Sequence, residues 1–377
     1  MSADVIVVGA GIIGAACAAE LARRGMSVNV VDAGGVGGGA TAAGMGHLVV
    51  MNDSPAEFAL SHFSRGLWLE LAPELRERDA FVRCGTLWAA DDEAELSAAR
   101  DMHAAFTARG VRASMLDQSA LREAEPALAH SLRGGLLVED DGIVYAPSAC
   151  EWLLARSPNA ARIRVSANLC ATSITAGRVT FSNGESRSAA HVVVANGLAA
   201  RELVNAPLVA KKGHLLITDR YPGFIRHQLL ELGYIKSAHH AAGTSVAFNA
   251  QPRPTGQLLI GSSRQFDTED PVVEMDILAR MLRRAARYLP SLPALNGIRA
   301  WTGFRAASPD GLPLIGSLGD PAERLWMAVG HEGLGVTTSL GTARLLVAQM
   351  LGEPDGVAGI PAGAFAPNRF VREPANG

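Results

Sequence analysis

The sequence predicts an α/β fold in which a parallel-sheet domain is interleaved with an α+β domain built on an antiparallel sheet. Three observations support this prediction. An apolar run at residues 4–8 precedes a glycine-rich turn, a helical pattern and a second apolar run ending on Asp32, which is the strand–helix–strand order of a parallel α/β sheet. A second glycine-rich turn opens another helical pattern at residues 330–346. Between them, residues 211–262 hold short apolar runs separated by turns, as antiparallel strands do.

The first glycine turn, residues 9–14, has the spacing G-x-G-x-x-G. Its first glycine permits a tight turn, its second lets backbone approach a pyrophosphate, and its third lets helix and strand pack closely. The helix start then offers N–H groups to phosphate, and Asp32 stands where a carboxylate accepts hydrogen bonds from ribose hydroxyls. A dinucleotide site is predicted, the alternative being glycines chosen for packing alone. The predicted nucleotide contacts are Gly9, Gly11, Ile12, Ile13, Gly14, Asp32 and Ala33.

A stretch of small residues, GGGATAAGMGHLVV, follows at positions 37–50. Such a loop can lie against a flat ring system and a phosphate chain, whereas the alternative is a flexible surface loop. The fingerprint alone does not separate FAD from NAD, and this loop favours FAD. A further small-residue turn follows the buried strand in HVVVANG, either as another approach to the cofactor or as an ordinary strand end. The contacts predicted from these segments are Gly39, Ala40, Thr41, Ala43, Gly44, Met45, Gly46, His47, Ala195, Asn196 and Gly197, and Ala171 is a further predicted cofactor contact.

The middle of the chain predicts a discontinuous two-domain organisation. Residues 83–140 and 211–299 combine strands with charged or amphipathic helices, and we assign them to a substrate-binding domain. Residues 1–82, 141–210 and 300–377 then form a Rossmann-type nucleotide-binding domain. No internal repeat or low-complexity linker separates the two.

Composition excludes several classes of function. The 377 residues are 48% hydrophobic with a net charge of −3, so a large buried core is expected. Acidic and basic residues number 37 and 34, which leaves no basic excess to attract nucleic acid. The four cysteines lack metal-site spacing, so we expect no metal and a cytoplasmic location. The apolar amino end is broken by glycines, and we expect neither a targeting signal nor a transmembrane segment.

Several segments, taken together, resemble the FAD-dependent D-amino acid oxidase family. They are the opening fingerprint, GGGATAAGMG, VVVANG, WTGFRAASPDGLPLIG and GHEGLGVTTSLGTA, and they span almost the whole chain in the family's order. The chain most resembles beta subunits of heteromeric bacterial dehydrogenases. The resemblance implies an FAD-dependent amino or imino acid dehydrogenase that transfers hydride to flavin N5. It favours D-hydroxyproline as substrate, with opine, glycine or sarcosine oxidation as alternatives.

The resemblance also explains the second glycine turn, residues 330–337, by placing it beneath the flavin ring. Its N–H groups and the positive end of the following helix could then stabilise negative charge near flavin N1 and O2. It is not a zinc site, because the second histidine of H-E-x-x-H is absent. The contacts implied are Gly330, His331, Glu332, Gly333, Leu334, Gly335, Val336 and Thr337.

Arg305 matches the family's carboxylate-binding arginine, although Ala306 replaces the usual proline. A guanidinium fork can hold a carboxylate bidentately and fix the substrate Cα–H over the flavin. The alternative for Arg305 is that it forms an ion pair at the protein surface and does not bind substrate. Gly303, in the same segment, is expected to contact the cofactor. His47 and Tyr234 are candidate catalytic residues of the substrate pocket. The alternative for each is a structural position in the hydrophobic core.

The resemblance carries expectations about cofactor attachment and partners. Members with covalent flavin have a cysteine just before the PDG segment, where this chain has Ala307 and Ser308, so non-covalent FAD is implied. Alpha and gamma partner subunits are implied too, carrying FMN and an iron–sulfur cluster and attaching the complex peripherally to a membrane. Two other functions stay open. A nicotinamide-dependent dehydrogenase would not need the second glycine turn, and a non-catalytic FAD-holding relay would not need Arg305.

Overall fold

The computed structural model describes residues 3–175, 177–233, 243–266, 268–353, 357 and 359–370. The helices in these ranges are α1 (Ile12–Arg23), α2 (Ala40–Ala43), α3 (Pro55–Leu71), α4 (Glu93–Thr107), α5 (Gln118–Ala124), α6 (Ala146–Ala155), α7 (Ala200–Val204), α8 (Met275–Tyr288) and α9 (Gly335–Met350). The strands are β1 (Val5–Val8), β2 (Val28–Val31), β3 (His47–Leu48), β4 (Thr86–Ala90), β5 (Ala113–Asp117), β6 (Gly134–Val138), β7 (Gly142–Ile143), β8 (Ile163–Ser166), β9 (Ala171–Thr175), β10 (Arg178–Phe181), β11 (Ser186–Ser188), β12 (His191–Val194), β13 (Val209–Arg220), β14 (Gln228–Glu231), β15 (Ser245–Pro252), β16 (Gln257–Arg264), β17 (Gly297–Ala307), β18 (Leu314–Ser317) and β19 (Leu325–Val329).

The chain divides into two compact units. The first unit comprises Met1–Asp79, Tyr145–Ala210 and Arg305–Gly377, and the second comprises Ala80–Val144 and Lys211–Phe304. The predicted domain boundaries fall a few residues from these limits. That the first unit holds the cofactor and the second the substrate stays a prediction.

The first unit is organised around a six-stranded sheet in the order β18–β19–β12–β1–β2–β8. Strands β19, β12, β1, β2 and β8 run parallel, and β18 is antiparallel at the edge. Strand β1 is buried along its whole length, as a continuous apolar run predicts for a parallel sheet covered on both faces. The α/β prediction is confirmed. The carboxyl ends of β1, β2 and β12 share one edge of the sheet, where ligands bind in open α/β folds.

Helices α3 and α9 of this unit pack closely through contacts between side chain and backbone. The indole N–H of Trp68 donates to the Val336 carbonyl oxygen at 3.0 Å. The Gly341 N–H lies 2.9 Å from Ser64 Oγ and donates to it. A Cβ on Gly341 would lie 2.9 Å from Ser64 Cβ, so this approach depends on glycine. The Trp68 bond lies at the first turn of α9, where the second glycine turn enters the helix, and the Gly341 contact lies at the second turn.

The second unit contains an eight-stranded sheet in the order β17–β13–β16–β15–β14–β4–β6–β5. Its pairs β13–β16, β15–β16, β14–β15, β4–β6 and β5–β6 are antiparallel, whereas β14–β4 is parallel. Helix α8 buries Leu278, Met281 and Ala285, and Tyr288 stacks on Phe248 with ring centroids 4.6 Å apart. The predicted antiparallel sheet is confirmed, and the parallel pair joins two segments that are separate in sequence.

Within the described ranges, none of the helices combines the length and apolarity that crossing a bilayer requires.

Candidate active site

Two glycines of the first glycine turn are required by close backbone contacts. Gly9 has φ +113°, and a Cβ there would lie 2.4 Å from the Ala195 carbonyl oxygen. A Cβ on Gly14 would lie 1.9 Å from the Gly9 carbonyl oxygen. Gly11 differs. A Cβ on Gly11 would lie 3.1 Å from Thr41 Oγ1, and apart from Gly11 and its two chain neighbours no other heavy atom of the described residues would lie within 4 Å of it. The space in front of Gly11 is therefore open, as approach to a pyrophosphate requires.

The start of α1 can bind an anion. Its N-cap residue is Gly11, which provides no side-chain cap, and the first turn carries no acidic residue. The Ile12 N–H donates to Thr41 Oγ1 at 3.0 Å, so it is already paired. The Thr41 hydroxyl proton is then directed away from Ile12 and can reach a phosphate oxygen. Sequence reasoning named both residues but missed this bond, which joins the turn to the small-residue loop.

Asp32 stabilises the first glycine turn directly. Its Oδ2 accepts from the Ala10 N–H at 2.7 Å, and its Oδ1 accepts from the Gly34 N–H at 2.8 Å. Each carboxylate oxygen has a further lone pair, so Asp32 can still accept from a ribose hydroxyl as predicted. Its first role, which the sequence did not reveal, is to hold the two turns after β1 and β2 together.

The turn after β12 carries an unsatisfied polar atom. Asn196 Oδ1 is buried and has no hydrogen-bond partner among the described residues. Buried acceptors are nearly always paired, so this oxygen fits the presence of a bound group that supplies a donor. Ala171 lies on β9, in a separate three-stranded sheet, and packs against the cluster containing Val8 and Val31. Its predicted contact with a cofactor stays a prediction.

Thr337 joins the small-residue loop to the second glycine turn. Its Oγ1 donates to the His47 carbonyl oxygen at 2.9 Å and accepts from the Val49 N–H at 3.2 Å. The two segments are 290 residues apart in sequence at this contact. The structure thus brings together two segments that were both predicted to contact the flavin. The catalytic role of the half-buried His47 side chain stays a prediction.

Arg305 lies beside the second glycine turn. A Cβ on Gly333 would lie 3.9 Å from Arg305 Nε, and Ala307 forms an antiparallel bridge with His331. Helix α9 begins after Leu334 without a side-chain cap, so its N–H groups and partial positive charge face this region. Gly303 falls in the second unit, and its predicted cofactor contact stays a prediction.

The His331 side chain packs against helix α9. It is buried, and its Nε2 lies 3.0 Å from the Thr342 hydroxyl. Burial lowers its pKa to about 3, so the imidazole is neutral near neutral pH. The predicted contact of His331 with a cofactor stays a prediction.

We expect His331 to make the protein acid-sensitive. Its pKa is lowered from 6.5 to about 3 on folding, so the stability it contributes is complete above pH 6.5 and is lost as the pH falls towards 3. At about pH 5 the loss is ~2 kcal/mol. His331→Gln should remove this part of the acid loss, measured by urea unfolding, whereas exposed His130→Gln should not. An acid dependence unchanged by His331→Gln would contradict the assignment.

Glu57, in the first turn of α3, is a site residue that the sequence prediction missed. Its Oε2 accepts from the Asp53 N–H at 3.3 Å. Burial raises its pKa to about 7, and the charges of Asp53 and Glu332 add to this effect. The pKa of Glu57 therefore lies near neutrality, and a carboxylate of the second glycine turn is among the charges that raise it. Local sequence does not signal this shift, because its largest cause is burial, which tertiary packing determines.

We expect Glu57→Gln to stabilise the protein at alkaline pH. The folded pKa is raised from 4.5 to about 7, so the ionised carboxylate costs stability above pH 7 and nothing below pH 4.5. The gain at about pH 8 should be ~1–3 kcal/mol, discounted for partial solvent exposure. Urea unfolding at about pH 8 and below pH 4.5 measures this gain in the free energy of unfolding. Exposed Glu74→Gln is the control. Equal effects of the two substitutions would show that Glu57 is not perturbed.

Tyr234 lies outside the described residues, so its predicted role stays a prediction. Among the residues that are described, no group of three or more histidine, cysteine, aspartate or glutamate side chains is arranged to hold a metal ion.

Comparison with known proteins identifies the family. Residues 4–349 match the family described as DAO: FAD dependent oxidoreductase. Hydrogen cyanide synthase subunit HcnC of Pseudomonas aeruginosa is 28% identical, covering 91% of both chains. Glycine oxidase of Geobacillus kaustophilus is 30% identical over 92% of both chains. Its crystal structure has a TM-score of 0.85, with 27% identity over 98% of this chain and 100% of that one. An opine oxidase subunit of Rhizobium meliloti is 26% identical over 85% of both chains.

These matches agree with a site that contains two helix starts whose N-cap residues make no side-chain cap, an open glycine turn and a buried acceptor, all of which fit FAD. The predicted family, cofactor and class of enzyme are confirmed. The chain belongs to the DAO family of FAD-dependent oxidoreductases and is an FAD-dependent amino acid oxidoreductase.

Proposed function

We propose that this chain oxidises the Cα–N bond of a small amino or imino acid, with D-hydroxyproline as the first candidate. Opines, glycine and sarcosine are the alternatives, supported by the names of the relatives. The observation that carries the proposal is the position of Arg305 beside Gly333. A Cβ on Gly333 would lie 3.9 Å from Arg305 Nε. Because residue 333 is glycine, it places no side chain of its own against the guanidinium.

Arg305 binds the substrate carboxylate in this proposal. A planar guanidinium donates two parallel hydrogen bonds to a carboxylate, which fixes both the position and the orientation of the substrate. The amine binds in its neutral form, so no strong protein base is required. Bound FAD supplies the two-electron acceptor for the hydride from Cα.

The first glycine turn and the start of α1 hold the pyrophosphate in this proposal, and Asp32 holds the ribose. The second glycine turn and the start of α9 lie against the flavin ring, where N–H groups stabilise negative charge. Ala307 and Ser308 offer no thiol for a covalent link, so FAD is bound non-covalently. Acid precipitation should therefore release the yellow colour into the supernatant, and colour held in the pellet would contradict this.

We further propose that the chain is the catalytic beta subunit of a heteromeric complex. Two relatives carry the word subunit in their names: one is a subunit of hydrogen cyanide synthase and the other is a subunit of opine oxidase. Alpha and gamma partners would carry electrons onward through FMN and an iron–sulfur cluster. The complex would be cytoplasmic, with any membrane attachment made through the partners. A non-catalytic FAD-holding subunit is the second candidate, and it gives no reason for an arginine beside the second glycine turn.

One experiment tests both proposals. The chain is purified alone and after co-expression with the genes next to its own, and is assayed with D-hydroxyproline, opines, glycine and sarcosine. Reduction of an artificial dye should exceed peroxide release, and partners should raise turnover. Rapid stoichiometric peroxide from the isolated chain, unchanged by partners, would refute the heteromer and leave a simple oxidase. Flavin that no substrate reduces, alone or in the complex, would favour the non-catalytic subunit.

A further inference from the structure

Arg369, near the carboxyl end of the described chain, makes an unusually complete set of hydrogen bonds. Its guanidinium donates to both carboxylate oxygens of Asp310, each at 2.8 Å. It also donates to the carbonyl oxygens of Leu312 at 2.7 Å, Pro313 at 3.2 Å and Ala366 at 3.1 Å. The side chain is 14% exposed. Five bonds from one guanidinium, which has five N–H donors, leave it a single orientation.

Four of these five bonds end on one segment, residues 308–313, which we call the PDG loop. The loop is also bonded internally: Ser308 Oγ donates to the Leu312 carbonyl oxygen at 2.6 Å, and Asp310 Oδ1 accepts from the Leu312 N–H at 3.1 Å. The hydrogen bonds from Arg369 help to hold the pKa of the Asp310 carboxyl below its usual value, although partial desolvation acts in the opposite direction. Arg369 therefore anchors a loop that is already closed on itself.

The PDG loop packs directly on the second glycine turn. A Cβ on Gly330 would lie 3.6 Å from Ser308 Cβ, and one on Gly311 would lie 3.9 Å from Glu332 Oε2. The strand leading into the loop carries Arg305, and Ala307 bridges to His331. The loop thus supports the turn on one side and continues the strand that holds the arginine.

We propose that Arg369 is a positioning residue, which holds the PDG loop in place and thereby fixes the second glycine turn and Arg305 for cofactor and substrate. This inference rests on the proposed function, because it assumes that the turn meets the flavin and that Arg305 meets the substrate. Its physical basis is that a bidentate pair defines a geometry more narrowly than a point charge does. A shift of ~1 Å in such a support can lower a rate about 100-fold.

The test compares Arg369→Ala and Arg369→Lys with Arg24→Ala. Arg24 also forms a bidentate pair, with Glu353, through hydrogen bonds of 2.5 and 3.0 Å. This pair lies at the carboxyl ends of α1 and α9 and not at the helix starts where the cofactor is proposed to bind. The dissociation constant of FAD is measured by titrating apoprotein, and KM and kcat are measured at saturating FAD. We expect Arg369→Ala to weaken FAD binding at least ~10-fold and to raise KM ~10- to 100-fold. Arg369→Lys should not restore either value, because a lysine cannot form the fork.

The control and the unfolding temperatures separate positioning from general stability. Arg24→Ala should leave the FAD dissociation constant and KM within ~2-fold of wild type, as for an exposed ion pair. If Arg369→Ala and Arg369→Lys match wild type in both constants, the inference is wrong. It is also wrong if they only lower the unfolding temperature while both constants stay unchanged. A wild-type protein that binds FAD but is reduced by no amino acid would instead refute the proposed function.

Discussion

Arg305→Ala should lower kcat/KM for the amino acid substrate by about 30- to 5,000-fold, or ~2–5 kcal/mol, while the flavin stays bound. The loss arises because the substrate carboxylate enters the site without its bidentate partner, whereas the first glycine turn is untouched. Steady-state kinetics give kcat/KM, and the flavin content of each preparation is read from its visible absorbance.

Two further variants sharpen this prediction. Arg305→Lys keeps the charge but loses the fork, so its kcat/KM should fall between those of wild type and Arg305→Ala. Arg299 lies on the same strand, exposed, with its guanidinium carbon 5.3 Å from the centroid of the Trp301 ring, and Arg299→Ala should leave kcat/KM close to wild type. Normal kcat and KM in Arg305→Ala would remove Arg305 from the substrate site.

Gly14→Ala and Gly11→Ala should fail in different ways. A Cβ on Gly14 would lie 1.9 Å from the Gly9 carbonyl oxygen, so the strand and α1 must separate. We expect a loss of at least ~4 kcal/mol, enough to prevent folding in many proteins. A Cβ on Gly11 meets Thr41 Oγ1 at 3.1 Å, which a small shift relieves. Gly11→Ala should fold within ~1 kcal/mol of wild type and yet lose FAD, because the methyl group takes the space of the pyrophosphate.

The free energy of unfolding of each apoprotein, with the flavin content of each purified variant, distinguishes these outcomes. Gly66 in α3 is the control, since a Cβ there would meet nothing within 4 Å. Gly66→Ala should fold and bind FAD like wild type. If Gly11→Ala retains FAD with normal affinity, the pyrophosphate does not lie in front of Gly11.

The first unit could be predicted well because its signals are local. The contact of Gly14 with Gly9 follows from spacing within one strand, one turn and one helix. The sheet of the second unit was predicted only in part. Strands β4, β5 and β6 join it through the parallel pair β14–β4, and no local periodicity tells which distant strands will pair. The resemblance supplied the relation between the two glycine turns, which local patterns do not contain.

The site shows the same limit. Both glycine turns follow from local motifs and Arg305 follows from the family resemblance, whereas the raised pKa of Glu57 depends on burial and on the charges of Asp53 and Glu332. The bond from Thr337 to His47 and the fork from Arg369 to Asp310 join segments far apart in sequence. Such contacts are set by tertiary packing, so a single sequence gives the residue types but not the partners.

Anaerobic mixing of the purified flavoprotein with single amino acids shows directly whether an amino or imino acid reduces its flavin. The panel contains D-hydroxyproline, opines, glycine, sarcosine, and the D- and L-forms of proline and alanine, and loss of the flavin's visible absorbance is followed. We predict that at least one member bleaches the flavin of the wild-type protein stoichiometrically, and that bleaching is slowed in Arg305→Ala and not in Arg299→Ala. The account is contradicted if dithionite bleaches the wild-type flavin but no amino or imino acid does, or if Arg305→Ala is reduced as fast as wild type.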